Sequence, residues 1–323
     1  MTGIAVPDFF CPLPSGINPH VGEAEKYALQ WALDNGLIRS DDAWGIGLSR
    51  IGYLASRASP DASPEALRII VEWLDWLLVY DDSVLDKRAN VSRLDGEDIV
   101  AFQRRVTGIL SGDQPAHESS SPLLRSFRVL RESIRRCCPH WEMADFIQGF
   151  HRYLQANLWE ATNIWLGRPP GLAAYTGMRR HTGCLFPTYL LSAAINGIGI
   201  TDEARNHVAI QQLEIMANNY TCWLNDVCSF EREQRDGQVN NLVAVLRNER
   251  GYSVQQAIAD AIDMCRIEME SYLELKDRLP RLSVPGDPAV PGYLGVLESW
   301  MRALLDWHQL TGRYGANDTA GPE

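Results

Sequence analysis

The sequence predicts an all-α fold, one bundle of about ten or more helices, and three features carry that expectation. Apolar residues recur at steps of three and four wherever the pattern is followed, as helices require. Clusters of Gly, Pro, Ser and Asn interrupt those runs at intervals. No segment alternates apolar and polar residues in the manner of a half-buried strand. With 323 residues, 46% hydrophobic and 22% charged, the chain has the material for a sizeable interior and not the composition of a disordered one.

The helical runs follow in chain order. Leu67, Ile70, Val71, Leu74, Leu77 and Leu78 form one face leading into an acidic cluster. Phe146, Phe150 and Tyr153 begin a second stripe, which Asn157 and Glu160 continue either as semi-buried polar groups facing the same end or as a helix edge. Ile210, Leu213, Ala217, Tyr220, Leu224 and Val227 keep the spacing without a break and predict a long, well-packed helix. Val254 to Cys265 and Leu297 to Trp307 repeat it. Breaks are expected at HESSSP around Pro122, at GRPPG over 167–171, before an N-cap at Thr201 and before another at Ser253. Ser283 to Gly292 is the longest stretch expected to be irregular, joined by the N-terminal segment 1–17 and the tail 315–323. Chain length alone suggests about two domains. No linker separates two cores and no fixed repeat appears, so a single domain over 1–323 is expected.

The formal net charge of −11 lowers the rank of nucleic-acid binding, which favours a basic surplus. An acidic protein that handles an anion needs local cations, either metal ions or Arg. The seven Cys form no CxxC pair and no zinc-type pattern, which reads as reduced thiols in a cytosol; Cys137-Cys138 reads as inert packing. No secretory signal opens the chain and no apolar stretch approaches about 18 residues, so a cytoplasmic protein without a transmembrane segment is expected.

Two acidic clusters stand out. Asp81, Asp82 and Asp86 close the run from Leu67, with Asp82 and Asp86 one turn apart on the same side. Three converging carboxylates are relieved by a shared divalent cation, or by water at a solvated helix end. Asn225, Ser229 and Glu233 recur at i, i+4 and i+8, so an amide, a hydroxyl and a carboxylate oxygen climb one helix face, as ligands of a hard cation or as an ordinary polar face. Asp226 beside them reads as a local salt-bridge partner. If the two helices pack side by side, both clusters open at one end of the bundle, where metal ions suit a polyanion such as diphosphate. Arg179 and Arg180, expected on the helix preceding that of Asn225, and the pair Arg313-Tyr314 supply donors to phosphate oxygens.

On these residues the sequence resembles the bacterial type of class I terpene synthase. DDSVLD is similar to that family's DDxxxD motif, and Asn225, Ser229 and Glu233 match its NDxxSxxxE motif. Arg313-Tyr314 fall at its C-terminal RY pair, and Arg179 at its diphosphate-sensing arginine. The likeness runs from the FFCPLPSGINP opening to Tyr314.

The resemblance implies a single-domain class I terpenoid synthase bundle around a deep apolar cavity. It implies three Mg²⁺ ions, with Mn²⁺ able to substitute, and a prenyl diphosphate substrate that releases pyrophosphate and leaves a carbocation to cyclise. Farnesyl diphosphate is the expected substrate, with geranylgeranyl diphosphate the longer alternative, and the products a sesquiterpene or a diterpene. Asp81 becomes the main carboxylate ligand, joined by Asp82 and Asp86, while Asn225, Ser229 and Glu233 hold the other metal site. Arg179, Arg232, Arg313 and Tyr314 become diphosphate ligands, and Thr182 and Gly183 fall at the family's linker and effector positions, where many members carry Asp at the linker. The resemblance also implies a homodimer. Aromatic faces attract a cation by roughly 0.5–2 kcal/mol each, and Tyr53, Trp76, Phe186 and Trp307 are the candidate lining. The first three equally suit plain core, whereas Trp307 is similar to a family aromatic. A chain-elongating prenyl diphosphate synthase is the alternative enzyme, but it needs a second aspartate-rich motif where Asn225, Ser229 and Glu233 stand; a non-catalytic helical scaffold is the remote alternative.

Overall fold

The computed structural model describes residues 8–39, 49–84, 99–113, 121–282 and 286–311, and among them every regular element is helical. In chain order these are α1 (Val21–Asp34), α2 (Ile51–Ala58), α3 (Pro64–Val84), α4 (Ile99–Ser111), α5 (Pro122–Cys137), α6 (Ala144–Leu166) and α7 (Leu172–Thr182). They continue as α8 (Leu185–Ile195), α9 (Asp202–Arg205), α10 (Val208–Asp236), α11 (Leu242–Arg250), α12 (Val254–Arg278) and α13 (Val290–Leu310). No helix among the described residues is long and apolar enough to cross a membrane.

The helix ends follow local chemistry. Pro122 opens α5, where its missing N–H costs nothing. Thr201 caps α9 by accepting from the Ala204 N–H, and Ser253 with Gln256 forms a capping box on α12. Gly167 and Gly237 close α6 and α10 in the left-handed conformation, at φ 69° and 74°, which glycine adopts without strain. The segment expected to be irregular up to Gly292 is shorter than that, because α13 begins at Val290 with Pro291 in its first turn, a position that tolerates proline. From Asp8 until α1 the chain is irregular yet pinned: Ser15 Oγ donates to Asp306 Oδ2 (2.6 Å) and Tyr220 Oη to the Phe10 carbonyl (3.2 Å).

Two packed regions flank the site. On one side α3, α4, α5 and α6 enclose an aromatic cluster in which Trp76 stacks on Tyr80 (ring centroids 5.0 Å) and meets Phe127 (4.5 Å) and Phe150 (5.9 Å). On the other, α10 runs against α12 and α13, and α2 lies across α13. The apolar helix α8 sits between them and touches α3, α6, α10 and α13.

One buried group of α3 has no obvious place in such a core. Asp75 is 1% exposed, and neither carboxylate oxygen has a hydrogen-bond partner among the described residues. Burial, reinforced by Glu25 and Glu72, holds its carboxyl well above the usual range. A folded-state pKa above the unfolded value of about 3.9 means that the folded chain binds the extra proton. The Asp75 contribution to stability is therefore fully present below about pH 4 and lost as the pH rises towards the folded value. In urea titrations from pH 4 upward, the stability of Asp75→Asn relative to the parent chain is expected to climb with pH, by up to about 1.4 kcal/mol per unit. A difference that stays flat with pH would contradict the protonated state.

Candidate active site

A cavity of about 290 Å³ opens between α2, α3, α6, α7, α8, α10 and α13. Its wall divides by chemistry. Leu54, Leu74, Leu77, Leu78, Leu185, Trp300, Leu304 and Trp307 are apolar, whereas Asp81, Asp82, Glu160, Arg179, Asn225, Arg232, Glu233 and Asp236 carry the polar atoms. Asp81 and Asp82 come from the last turns of α3, and Asn225 and Glu233 from α10, so residues separated by more than 140 positions share one cavity. Arg232 Nη2 reaches across to Asp82 Oδ1 at 3.6 Å and its Nε lies 3.7 Å from Asp236 Oδ2. Ser229 is fully buried on the same helix, and its hydroxyl donates to the Asn225 carbonyl at 2.7 Å. Asp86, Arg313 and Tyr314 lie outside the described residues.

Arg179 is not on the helix immediately before that of Asn225. It belongs to α7, with α8 and α9 intervening, and still reaches α10 because α7 packs directly on it. Its Nε donates to Asp226 Oδ1 (3.0 Å), Nη2 to Asn225 Oδ1 (3.2 Å) and Nη1 to Thr182 Oγ1 (3.3 Å). Asp226 is thus no local salt-bridge partner; its counter-ion sits 47 positions earlier. The same carboxylate accepts from Tyr175 Oη (2.5 Å) and from the Leu242 N–H (3.2 Å), tying α7, α10 and α11 together. Burial pushes Asp226 up to about 6, against the pull of Arg179. Glu160 is buried, lines the cavity, and is pushed up to about 8 by the same cause. It therefore resolves as a buried polar group rather than a helix edge.

Three of the four expected aromatic lining residues lie elsewhere. Trp76 is wholly buried in the aromatic cluster and donates to the Leu123 carbonyl (2.8 Å). Tyr53 faces Arg57, which donates to its hydroxyl at 2.9 Å and lies 5.0 Å above its ring. Phe186 pairs with the His181 ring at 5.9 Å. Trp307 does line the cavity, its Nε1 donating to the Ser49 carbonyl at 2.7 Å, and Tyr153 and Trp300 line it as well. Tyr153 was readable as the next step of its stripe, and Trp300 as an apolar position one turn pair before Trp307; neither position declares from sequence which way it faces.

Oxygen dominates the donor set, and among the described residues no three His, Cys, Asp or Glu side chains converge as a metal cluster. On α10 the Asn225 amide and the Glu233 carboxylate line the cavity and, with Asp81 and Asp82, suit a hard divalent cation, whereas the Ser229 hydroxyl is buried against the Asn225 carbonyl and is not part of the lining. Cys184 and Cys222 also line the cavity, and burial pushes the Cys222 thiol up to about 11 and Cys184 well above its ordinary value.

The break between α7 and α8 is tightly made. Cys184 adopts φ 57°, unusual without glycine, and a Cβ on Gly183 would lie 2.3 Å from Cys222 Sγ. Gly183→Ala is expected to lower stability by about 1–3 kcal/mol through overpacking, read as a drop in thermal midpoint. The double variant with Cys222→Ala should recover most of it; no recovery would mean that the thiol is not the obstacle.

A family model described as terpene synthase family 2, C-terminal metal binding, matches residues 72–271, a span that begins in α3 and ends in α12. The chain is 30% identical over 304 residues to a (+)-T-muurolol synthase, (2E,6E)-farnesyl diphosphate cyclizing, of Roseiflexus castenholzii, covering 94% of this chain and 92% of that one. It is 30% identical to a germacrene A synthase of Nostoc punctiforme, over 97% and 96% of the two chains. In three dimensions it is similar to the linalool/nerolidol synthase of Streptomyces clavuligerus in complex with 2-fluorogeranyl diphosphate, with a TM-score of 0.81 at 22% identity over 95% and 100% of the chains. The fold, the polar groups in the cavity lining and these likenesses lead to one conclusion: the chain belongs to the bacterial class I terpene synthases, a metal-binding family.

Proposed function

We propose that the chain acts as one domain that ionises farnesyl diphosphate with Mg²⁺, releases pyrophosphate and cyclises the resulting carbocation to a sesquiterpene. The observation that carries this reading is that a single cavity is lined both by oxygen- and arginine-bearing side chains and by an apolar set that includes Leu74, Leu77, Trp300, Leu304 and Trp307. An anionic headgroup and a hydrocarbon tail need those two environments side by side. The relative that cyclises farnesyl diphosphate supports the fifteen-carbon chain.

In this reading Asp81 is the main carboxylate ligand, with Asp82 beside it, and Asn225, Ser229 and Glu233 hold metal on the opposite helix. By the family resemblance three Mg²⁺ ions would be held by these oxygen donors, and the chemistry they would supply is neutralisation of the charge that develops on the departing diphosphate. Arg179 and Arg232 add fixed positive charge to the same oxygens, and because Arg179 is already held by three acceptors, little reorganisation accompanies the reaction. The wall of Leu54, Leu74, Leu77 and Leu78 excludes water from the cation, and the Trp300 and Trp307 rings offer it faces that attract without bonding. Asp86, Arg313 and Tyr314 are proposed to complete the metal and diphosphate ligands on the strength of the motif match. Seven free thiols support a cytoplasmic setting.

Incubation with Mg²⁺ and ten-, fifteen- and twenty-carbon prenyl diphosphates, followed by gas chromatography–mass spectrometry, tests the reading directly. A cyclic fifteen-carbon product is expected; a longer diphosphate, or no turnover, would overturn it. Asn225→Ala is expected to cut pyrophosphate release by about 10²–10³-fold, the scale of losing one pre-placed electrostatic group, with the helical circular-dichroism signal intact. Arg179→Ala should lose turnover similarly, and excess chelator should abolish turnover in the parent chain until Mg²⁺ is restored.

A further inference from the structure

Trp307 lines the cavity, and what aims its ring lies behind that wall. The indole Nε1 donates to the Ser49 carbonyl at 2.7 Å, and the Thr311 hydroxyl, one turn further on, donates to the same oxygen at 3.3 Å. A carbonyl oxygen points where its rigid peptide plane points, so the backbone at 49–50 decides where the indole is held. That backbone is unusual. Arg50, the N-cap of α2, stands at φ 54° and ψ 44°, in the left-handed region that a residue with a side chain rarely adopts and keeps only where its surroundings hold it. Glu25 on α1 does the holding. Its Oε1 accepts from the Tyr53 N–H (2.7 Å), one of the donors a helix leaves unpaired in its first turn, and from Arg50 Nε (3.1 Å). A carboxylate of one helix thus caps the next, at the end where negative charge is favoured. The two helices nearly touch there: a Cβ on Gly52 would lie 2.3 Å from the Glu25 nitrogen. Ile51 and Leu54, in the helix that this turn starts, line the cavity, whereas Glu25, Ser49 and Arg50 are not part of the lining.

We infer that Glu25 and Arg50 are positioning residues that determine product specificity: the left-handed turn they form aims the Ser49 carbonyl, and that carbonyl sets the angle at which the Trp307 face meets the carbocation. The inference rests on the proposed cyclase reading and deepens it. An aromatic ring attracts a cation over its face and repels it at its edge. A tilt of the indole therefore changes which cationic carbon is favoured, and with it the hydrocarbon that leaves. Ionisation depends instead on the oxygen and arginine side chains carried by α3, α7 and α10, so the turn acts after pyrophosphate has departed.

Pyrophosphate release and product spectrum, measured together on farnesyl diphosphate, test this. Arg50→Val and Arg50→Gly lose the same ion pair, but a β-branched residue resists the left-handed conformation and glycine adopts it freely. In Arg50→Val the ratio of the main cyclic product to all other products is expected to change by about threefold or more, the scale of one weakened cation–π contact. In Arg50→Gly it should stay within about twofold of the parent. Glu25→Ala should follow Arg50→Val, and Glu25→Gln, which keeps an oxygen for the Tyr53 N–H, should follow the parent. All four variants should release pyrophosphate within about threefold of the parent rate, a split between turnover and product that general destabilisation does not give. Trp307→Phe, which keeps a ring and removes the donor, should shift the ratio as well, and adding Arg50→Val to it should change nothing further. A parent-like ratio in Arg50→Val, equal shifts in Arg50→Gly and Arg50→Val, or shifts that multiply in the double variant would overturn the inference. Should Glu25→Ala fail to fold by circular dichroism, the two variants at 50 decide the question alone. A parent chain that releases no pyrophosphate overturns the cyclase reading itself, an outcome distinct from an active parent whose product ratio Arg50→Val leaves unchanged.

Discussion

A guanidinium taken out of water is tolerable only beside an equally buried negative charge, and much of this molecule is organised around one such pair. Arg179, with 13% of its side chain exposed, and Asp226, with 2%, meet at 3.0 Å. Desolvating both ions costs several kcal/mol apiece, so the pair persists because each remaining atom is also engaged. Asp226 takes the Tyr175 hydroxyl and a backbone N–H from α11, and its own carbonyl accepts from Asn241, whose side chain also reaches Glu233 at 2.9 Å. The pair therefore fixes the register of α7, α10 and α11 and, through Asn241, one of the oxygens that faces the cavity.

This arrangement explains which parts of the site were legible in the sequence. Asn225, Ser229 and Glu233 could be read as one face because the helical period fixes their relative direction within α10. The Arg179–Asp226 pair could not, since two helices and 47 positions separate its members and no local period connects them. Asp226 looked like an ion-pair partner for a neighbour, and the real partner is set by tertiary packing. Tyr175 and Asn241 carry faint signals, one turn before Arg179 and at the N-cap of α11 respectively, which acquire meaning only once the pair is known.

The aromatic residues show the complementary difficulty. The stripe along α3 runs through Leu74, Leu77 and Leu78, but the helix is buried on more than one side: those leucines line the cavity, while Trp73, Trp76 and Tyr80 beside them turn to the aromatic cluster with α5 and α6. Composition and period give no way to divide them. Tyr53 was drawn off the wall by an arginine one turn along its helix, and Trp307 was kept on it by a hydrogen bond to the Ser49 carbonyl.

The ring cluster behind α3 has a consequence for anyone who would recast what the cavity makes. Trp73, Trp76 and Tyr80 are interlocked with Phe127, Phe146 and Phe150 at centroid separations of 4.5–6.5 Å, so α3 is clamped from the rear. Trimming Leu74, Leu77 or Leu78 then enlarges the mould by close to the volume of the deleted methyl groups, because the helix has no slack with which to collapse into the space. Contour and scaffold sit on adjoining faces of a single helix, and the cavity face accepts re-sculpting as long as the ring face is left alone.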